Sequence, residues 1–412
     1  MSLIFIECLF LSACLIFLMG INPFVRKWKN LVLYACGGFF LTLIVSYVFL
    51  CFFEVQLSFY LIVVFSLFFV TKYLLNESGV EKAKPRKDED TFILGSESGQ
   101  LEFYYPRDNF MVLGGAGSGK TASIGKPILE QYIRYGWAGF IYDYKDYDYT
   151  KTAWNLVQKY KYPYKFYYIS FTDMSRTYRF NILNKNVIRN ETMLFQAMTD
   201  FFNAMKPEKG NTDEWFQAAR GLLCGVAVRF YKFQGDYEKY CTLPHILNFI
   251  LMATPEQLPR FLEGDMMSKM KAGAFLGSKG SERTQSSVIF SINNYISNLA
   301  SNKNVCYVLS GNDYIYDLID PEDPKLFAVS NNFAIESMIS PIVAMLVPLA
   351  ARRIEFGNRV KFAFVLDEMT TVKVNDFQSL PSVLREYGVS FLVLTLSGTK
   401  FDKLYGKEDR VS

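Results

Sequence analysis

A chain of 412 residues is longer than one hydrophobic core usually spans, so two or three domains are expected. Half of its residues are hydrophobic, most densely at the N-terminus, and the net charge is only +4, which excludes a polycation and confines any nucleic-acid surface to a local patch. Seven cysteines without a CxxC pair point to a reduced compartment and away from a zinc site.

Residues 3–22, 31–53 and 57–75 are three apolar runs, each near the ~20 residues that cross a bilayer, with Lys72 close to the end of the third. No basic residue precedes the first run and no small-residue cleavage site follows it, so it reads as a retained span and not a signal peptide. Basic residues mark the sides of the membrane: Arg26, Lys27 and Lys29 lie between the first two runs, only Glu54 between the next two, and Lys72, Lys82, Lys84, Arg86 and Lys87 at the exit. The N-terminus is therefore expected outside and everything after residue 75 in the cytoplasm, where ATP is. Glu7 reads as an interfacial group, with a functional intramembrane carboxylate as the alternative. Residues 1–75 are thus a transmembrane anchor, and 76–90, polar with Pro85 in the middle, a linker able to rest on anionic lipid.

Residues 91–190 are expected to form the first part of a nucleotide-binding domain. Short β-rich runs at 91–94 and 100–105, joined by Gly95-Ser96-Glu97-Ser98-Gly99, predict a hairpin with which the main sheet starts. Next, Asn109-Phe110-Met111-Val112-Leu113-Gly114-Gly115-Ala116-Gly117-Ser118-Gly119-Lys120-Thr121 matches the phosphate-loop pattern G-x-x-x-x-G-K-[ST]. Glycines 114, 115, 117 and 119, with Ala116 and Ser118 between them, are expected to take positive φ and turn their N–H groups toward a triphosphate. Lys120 is then placed to reach the β- and γ-phosphates of ATP, and the Thr121 hydroxyl to meet Mg²⁺; the helix from Ala122 points its positive end at the phosphates. The strand before and the helix after argue against a glycine-rich turn that merely ends in Lys-Thr.

A second strand, 137–142, ends in Asp143, which is either a ligand-site residue at the carboxyl end of a sheet strand or a plain strand-end cap. A third is expected at 166–171. The tyrosine-rich stretch 132–178, interleaved with Lys and Arg, has two readings: base stacking with phosphate contacts, or ordinary packing with solvated lysines. From 191 to 301 the pattern is helical, with Trp215, Ala219, Leu222, Leu223, Val226 and Phe230 on one stripe and Val288, Ile292, Tyr295, Ile296 and Leu299 on another. Residues 191–305 are therefore expected to be an inserted all-α domain. In it His245, after Leu243-Pro244, reads as a helix-end residue and not a base or ligand.

Residues 306–412 return to the nucleotide-binding domain with a strand at 325–330 and a helix at 339–354. The run Lys361-Phe362-Ala363-Phe364-Val365-Leu366-Asp367-Glu368 has the form of the second ATPase motif: a buried strand that delivers Asp367 to the Mg²⁺ shell and Glu368 to the attacking water. About 250 residues separate the two motifs, a gap that the helical insertion fills. The fold class is α/β: a RecA-like P-loop NTPase domain with an inserted all-α domain, preceded by N-terminal transmembrane helices.

These residues together resemble the type IV coupling proteins of bacterial conjugation, the TraG/TraD type, in the version found on mobilisable elements. The likeness covers nearly the whole chain. It rests on the spans followed by residues 114–121, on Asp143-Tyr144-Lys145 where the family has an Asp-Pro-Lys-like motif, and on Arg179-Phe180-Asn181-Ile182-Leu183 where it has an Asn-Pro-Leu-like turn. It continues through Trp215-Phe216-Gln217-Ala218-Ala219-Arg220, Leu366-Asp367-Glu368, Leu384-Arg385-Glu386-Tyr387-Gly388-Val389 and Lys403-Leu404-Tyr405-Gly406.

The resemblance implies a hexameric inner-membrane ATPase that receives relaxase-bound single-stranded DNA and passes it to a type IV secretion channel. It gives residues 191–301 the role of recognising the DNA-processing complex. Arg385 has two readings, a residue reaching a neighbouring subunit's nucleotide or a surface ion pair with Glu386 or another acid. Two departures from the family stand out. Its usual glutamine after the strand at 390–395 is replaced by Leu396-Ser397, and leucine donates no side-chain hydrogen bond to phosphate or water. The chain also stops at Ser412, where related chains continue, so a truncated product or fragment is one reading. Two rivals follow: another membrane-tethered DNA pump of the FtsK/HerA kind, and a nucleotide-binding adaptor without turnover.

Overall fold

The apolar runs align as a six-stranded, all-parallel sheet in a computed structural model that describes residues 90–405 apart from 98, 207–213, 234–236 and 356. The three apolar runs expected to span a membrane, and the linker up to residue 89, lie outside the described residues. Among the described residues no helix is long and apolar enough to cross a membrane.

The sheet strands are β3 (Phe110–Leu113), β4 (Ala138–Asp143), β5 (Lys165–Ile169), β6 (Lys325–Ser330), β7 (Phe362–Leu366) and β8 (Val389–Thr395), in the order β3-β8-β7-β4-β6-β5. Strands β4, β6, β7 and β8 are buried at every position, as expected for a parallel sheet covered on both faces. Their side chains alternate between two cores. Ile141, Ala328, Val365 and Leu394 face one cluster, built with Ile128, Leu129, Tyr132 and Ile133 of α1 (Lys126–Arg134) and with Tyr149, Ala153 and Leu156 of α2 (Asp148–Lys159). Phe140, Phe327, Phe364 and Phe391 face the other, and a fully buried Phe contributes up to about 3 kcal/mol.

That second core is shared with helices that follow β5: α3 (Glu191–Asn203), α4 (Glu214–Tyr231), α5 (Leu243–Met252), α6 (Gln257–Glu263), α7 (Met266–Lys271), α8 (Gly273–Gly277), α9 (Glu282–Ser301) and α10 (Lys303–Val308). Their starts are written in the sequence as N-caps. Asn190 accepts from the Met193 N–H at 2.9 Å, Thr242 from the His245 N–H at 3.3 Å, and Ser281 from the Thr284 N–H at 3.3 Å. His245 therefore sits in a helical first turn, and burial moves its pKa down. Trp215 departs from the predicted apolar stripe: it is exposed, while Ala219, Leu222, Leu223, Val226 and Phe230 are buried. The helix expected at 339–354 is α11 (Glu336–Ala351), apolar on all sides because it is buried next to α3 and β4.

The predicted hairpin exists as β1 (Phe92–Ser96) and β2 (Gly99–Phe103), but it forms its own two-stranded sheet and does not start the main one. The reason is α1. The Gln131 side chain donates to the Ile93 carbonyl at 3.0 Å, standing in for a neighbouring strand, and Phe92 is buried against Tyr132, Tyr135 and Trp137.

Candidate functional site

Because all six strands run the same way, their carboxyl ends share one edge, where open α/β sheets bind ligands. Leu113 enters the glycine loop there, Leu366 leads into Asp367, and Thr395 into Leu396. Strand β8 lies between β3 and β7, and the Gly114 N–H extends their pairing by donating to the Thr395 carbonyl at 3.2 Å.

In the loop, Gly117 and Gly119 take positive φ, 76° and 79°; Gly114 and Gly115 do not, so two glycines and not four make the turn. Lys120 is buried. The chain becomes helical as a π-type turn, Thr121–Gly125, that runs into α1. Gly125 is required by close approach. A Cβ there would lie 2.0 Å from the Tyr149 hydroxyl oxygen and 2.9 Å from a Leu394 methyl, so the loop helix rests directly on α2 and β8.

Asp367 and Glu368 leave β7 in different ways. The Asp367 carboxylate is buried, and neither oxygen has a hydrogen-bond partner among the described residues. Its pKa is pushed up to about 7, chiefly by burial; Asp143 and Glu368 push the same way, while Lys145 and Lys120 oppose. Glu368 adopts a left-handed conformation, φ 49° and ψ 53°, uncommon for a non-glycine residue. That turn is held by the Thr371 N–H and hydroxyl, which donate to the Glu368 carbonyl at 2.9 and 2.8 Å. Glu368 Oε1 accepts from the Leu396 N–H at 3.0 Å and from the Thr370 hydroxyl at 3.3 Å.

Asp143, a candidate for cofactor contact, has its oxygens engaged locally: Oδ1 accepts from the Lys145 N–H at 3.2 Å, and Oδ2 from the Thr150 N–H and hydroxyl, both at 2.8 Å. Of its two readings, the strand-end cap describes these contacts. Burial raises its pKa. Arg385, just after α12 (Ser379–Leu384), pairs with Asp108 at 3.5 Å, both side chains being exposed. In the tyrosine-rich stretch, Tyr132, Tyr142 and Tyr149 are core residues, and Lys159, Arg176 and Arg179 pair with Glu130, Asp173 and Asp313.

Neither ATPase motif in the sequence marks Lys145 or Leu396 as a site residue. Lys145 Nζ donates to Thr121 Oγ1 at 3.3 Å, and its only signal was the Asp143-Tyr144-Lys145 string. Leu396 acts through its backbone, for which a side-chain pattern has no signal.

The residues fit a magnesium nucleotide. Two positive-φ glycines and a buried lysine form a phosphate cradle, a threonine hydroxyl opens the helix, and a buried carboxylate with two free oxygens suits a cation's hydration shell. A parallel α/β sheet with this loop and this acidic step defines a P-loop NTPase-like protein. Residues 69–412 match the family described as "Type IV secretory system Conjugative DNA transfer", and the chain belongs to that family, the type IV coupling proteins. Among solved structures, the unbound bacterial conjugative coupling protein TrwBdeltaN70 matches at TM-score 0.59 and 17% identity, over 79% of this chain and 71% of that one. The plasmid coupling protein TrwB with a non-hydrolysable ATP analogue, and with ADP and Mg²⁺, each match at TM-score 0.56 and 18% identity, over 74% of this chain and 67% of that one. At these identities the likeness is one of fold. No curated protein sequence matches.

Proposed function

We propose that this protein is the ATPase motor of a conjugative DNA-transfer apparatus, anchored in the bacterial inner membrane with its catalytic part in the cytoplasm. It delivers relaxase-bound single-stranded DNA to a type IV secretion channel. It works as a homo-oligomer, hexameric by family resemblance, with a RecA-like P-loop domain and residues 191–305 as the inserted all-α domain facing the DNA-processing complex. The observation that carries the reading is the Asp367-Glu368 step at the end of β7, one strand removed from the phosphate loop.

Bound Mg²⁺ supplies charge neutralisation on the transferring phosphoryl group. Lys120 and the loop N–H groups hold the phosphates, Thr121 offers its hydroxyl to the metal, and Asp367 orients the metal's water shell. Glu368 takes the proton of the attacking water. The cradle's fit and TrwB's complexes with ADP and Mg²⁺ and with an ATP analogue support ATP and Mg²⁺ as the cofactors.

The test is DNA-stimulated ATPase activity of the detergent-solubilised protein beside Lys120→Ala and Glu368→Gln. Turnover that rises with single-stranded DNA and is lost in both variants supports the motor. Nucleotide binding with no turnover above the variants, with or without DNA, replaces it by the non-hydrolysing adaptor.

A further inference from the structure

We infer that the Lys145 ammonium competes with Mg²⁺ for the Thr121 hydroxyl oxygen and moves aside when the metal binds with nucleotide, making Lys145 a positioning residue that sets the metal requirement. The inference rests on the ATP and Mg²⁺ reading of this site.

Lys145 Nζ donates to Thr121 Oγ1 at 3.3 Å, and that oxygen is the one the loop offers to a metal. An ammonium donating to that oxygen would stand within a few Å of a divalent ion bound to it, and the two cations would repel, so each weakens the other's hold on the hydroxyl. The same ammonium is the strongest opposing charge on Asp367, whose two buried oxygens have no hydrogen-bond partner among the described residues. Around Asp367 stand two further carboxylates, Asp143 and Glu368, and two ammonium groups, Lys120 and Lys145. Removing Lys145 therefore leaves this acidic site more negative and more attractive to Mg²⁺.

Only the side chain has to move. The Lys145 N–H is held by Asp143 Oδ1, the preceding Tyr144 hydroxyl donates to Glu336 of α11, and the following Asp146 N–H donates to the Asn331 carbonyl at 3.1 Å. The turn is pinned, whereas the lysine tail is exposed on a flexible four-carbon stem.

The experiment is a Mg²⁺ titration of the binding of a fluorescent non-hydrolysable ATP analogue to the full-length solubilised protein, for wild type, Lys145→Met and Lys145→Arg. Lys145→Met is expected to lower the Mg²⁺ midpoint about three- to tenfold, and Lys145→Arg to stay within about twofold of wild type. A midpoint unchanged in Lys145→Met, as for a merely structural lysine, overturns the inference. So does a raised midpoint, or weaker analogue binding in EDTA, either of which would make Lys145 a phosphate ligand. If wild type binds no analogue, or binds it with no Mg²⁺ dependence, the magnesium-nucleotide reading itself falls and takes the inference with it.

Discussion

The Leu396 backbone N–H donates to Glu368 Oε1 at 3.0 Å, across the gap between the ends of β8 and β7. Position 396 thus holds the acidic residue through its main chain, while the leucine side chain is exposed.

Two substitutions at 396 separate backbone from side chain. Leu396→Gln is expected to change DNA-stimulated turnover by less than about threefold. Leu396→Pro removes the donor, leaves Glu368 Oε1 with only the longer Thr370 hydroxyl contact, and is expected to lower turnover by about tenfold or more with nucleotide binding retained. Steady-state ATPase rates beside fluorescent-nucleotide affinity check both.

Asp367 makes the metal-free protein pH-sensitive. Its folded pKa of about 7 lies above the ordinary carboxylate value of 3.8, so between those two pH values the folded state keeps a proton that the unfolded chain releases. Stability should therefore fall as pH rises through that window and level off above it, by at most roughly 4 kcal/mol. Asp367→Asn is expected to be more stable than wild type by about 1–3 kcal/mol at pH 8 in EDTA, and indistinguishable from it near pH 4. Urea unfolding at the two pH values measures this.

Gly125→Ala should destabilise by about 1–3 kcal/mol or more, because its methyl group meets the Tyr149 hydroxyl and a Leu394 methyl. Pairing it with Tyr149→Phe removes the nearest atom and should recover part of the loss. Thermal melts of the two single variants and the double variant close the cycle.

Arg385→Ala removes an exposed pair with Asp108 worth about 0–1 kcal/mol, so the melting temperature should barely move. If Arg385 serves a neighbouring subunit's nucleotide, turnover should fall about tenfold or more in Arg385→Ala and stay near wild type in Asp108→Ala. Equal effects of the two variants on turnover would leave Arg385 as a surface ion pair.

The sequence by itself determined the pieces. Continuous apolar runs such as Phe362–Leu366 are long enough only for buried strands, the loop at 114–121 matches the phosphate-loop pattern, and N-caps such as Asn190 and Ser281 mark helix starts locally. These signals come from neighbours in the chain, so they are legible without a fold.

Tertiary structure decided what meets what. The order β3-β8-β7-β4 brings Leu396 to Glu368 and Lys145 to Thr121, contacts between residues 24 and more positions apart that no period or motif encodes. It also sent Trp215 outward, moved the hairpin onto α1 through Gln131, and engaged Asp143 with Thr150. Each of these outcomes turns on burial and on which buried polar atom finds a partner, and both quantities exist only once the sheet and its helices have packed.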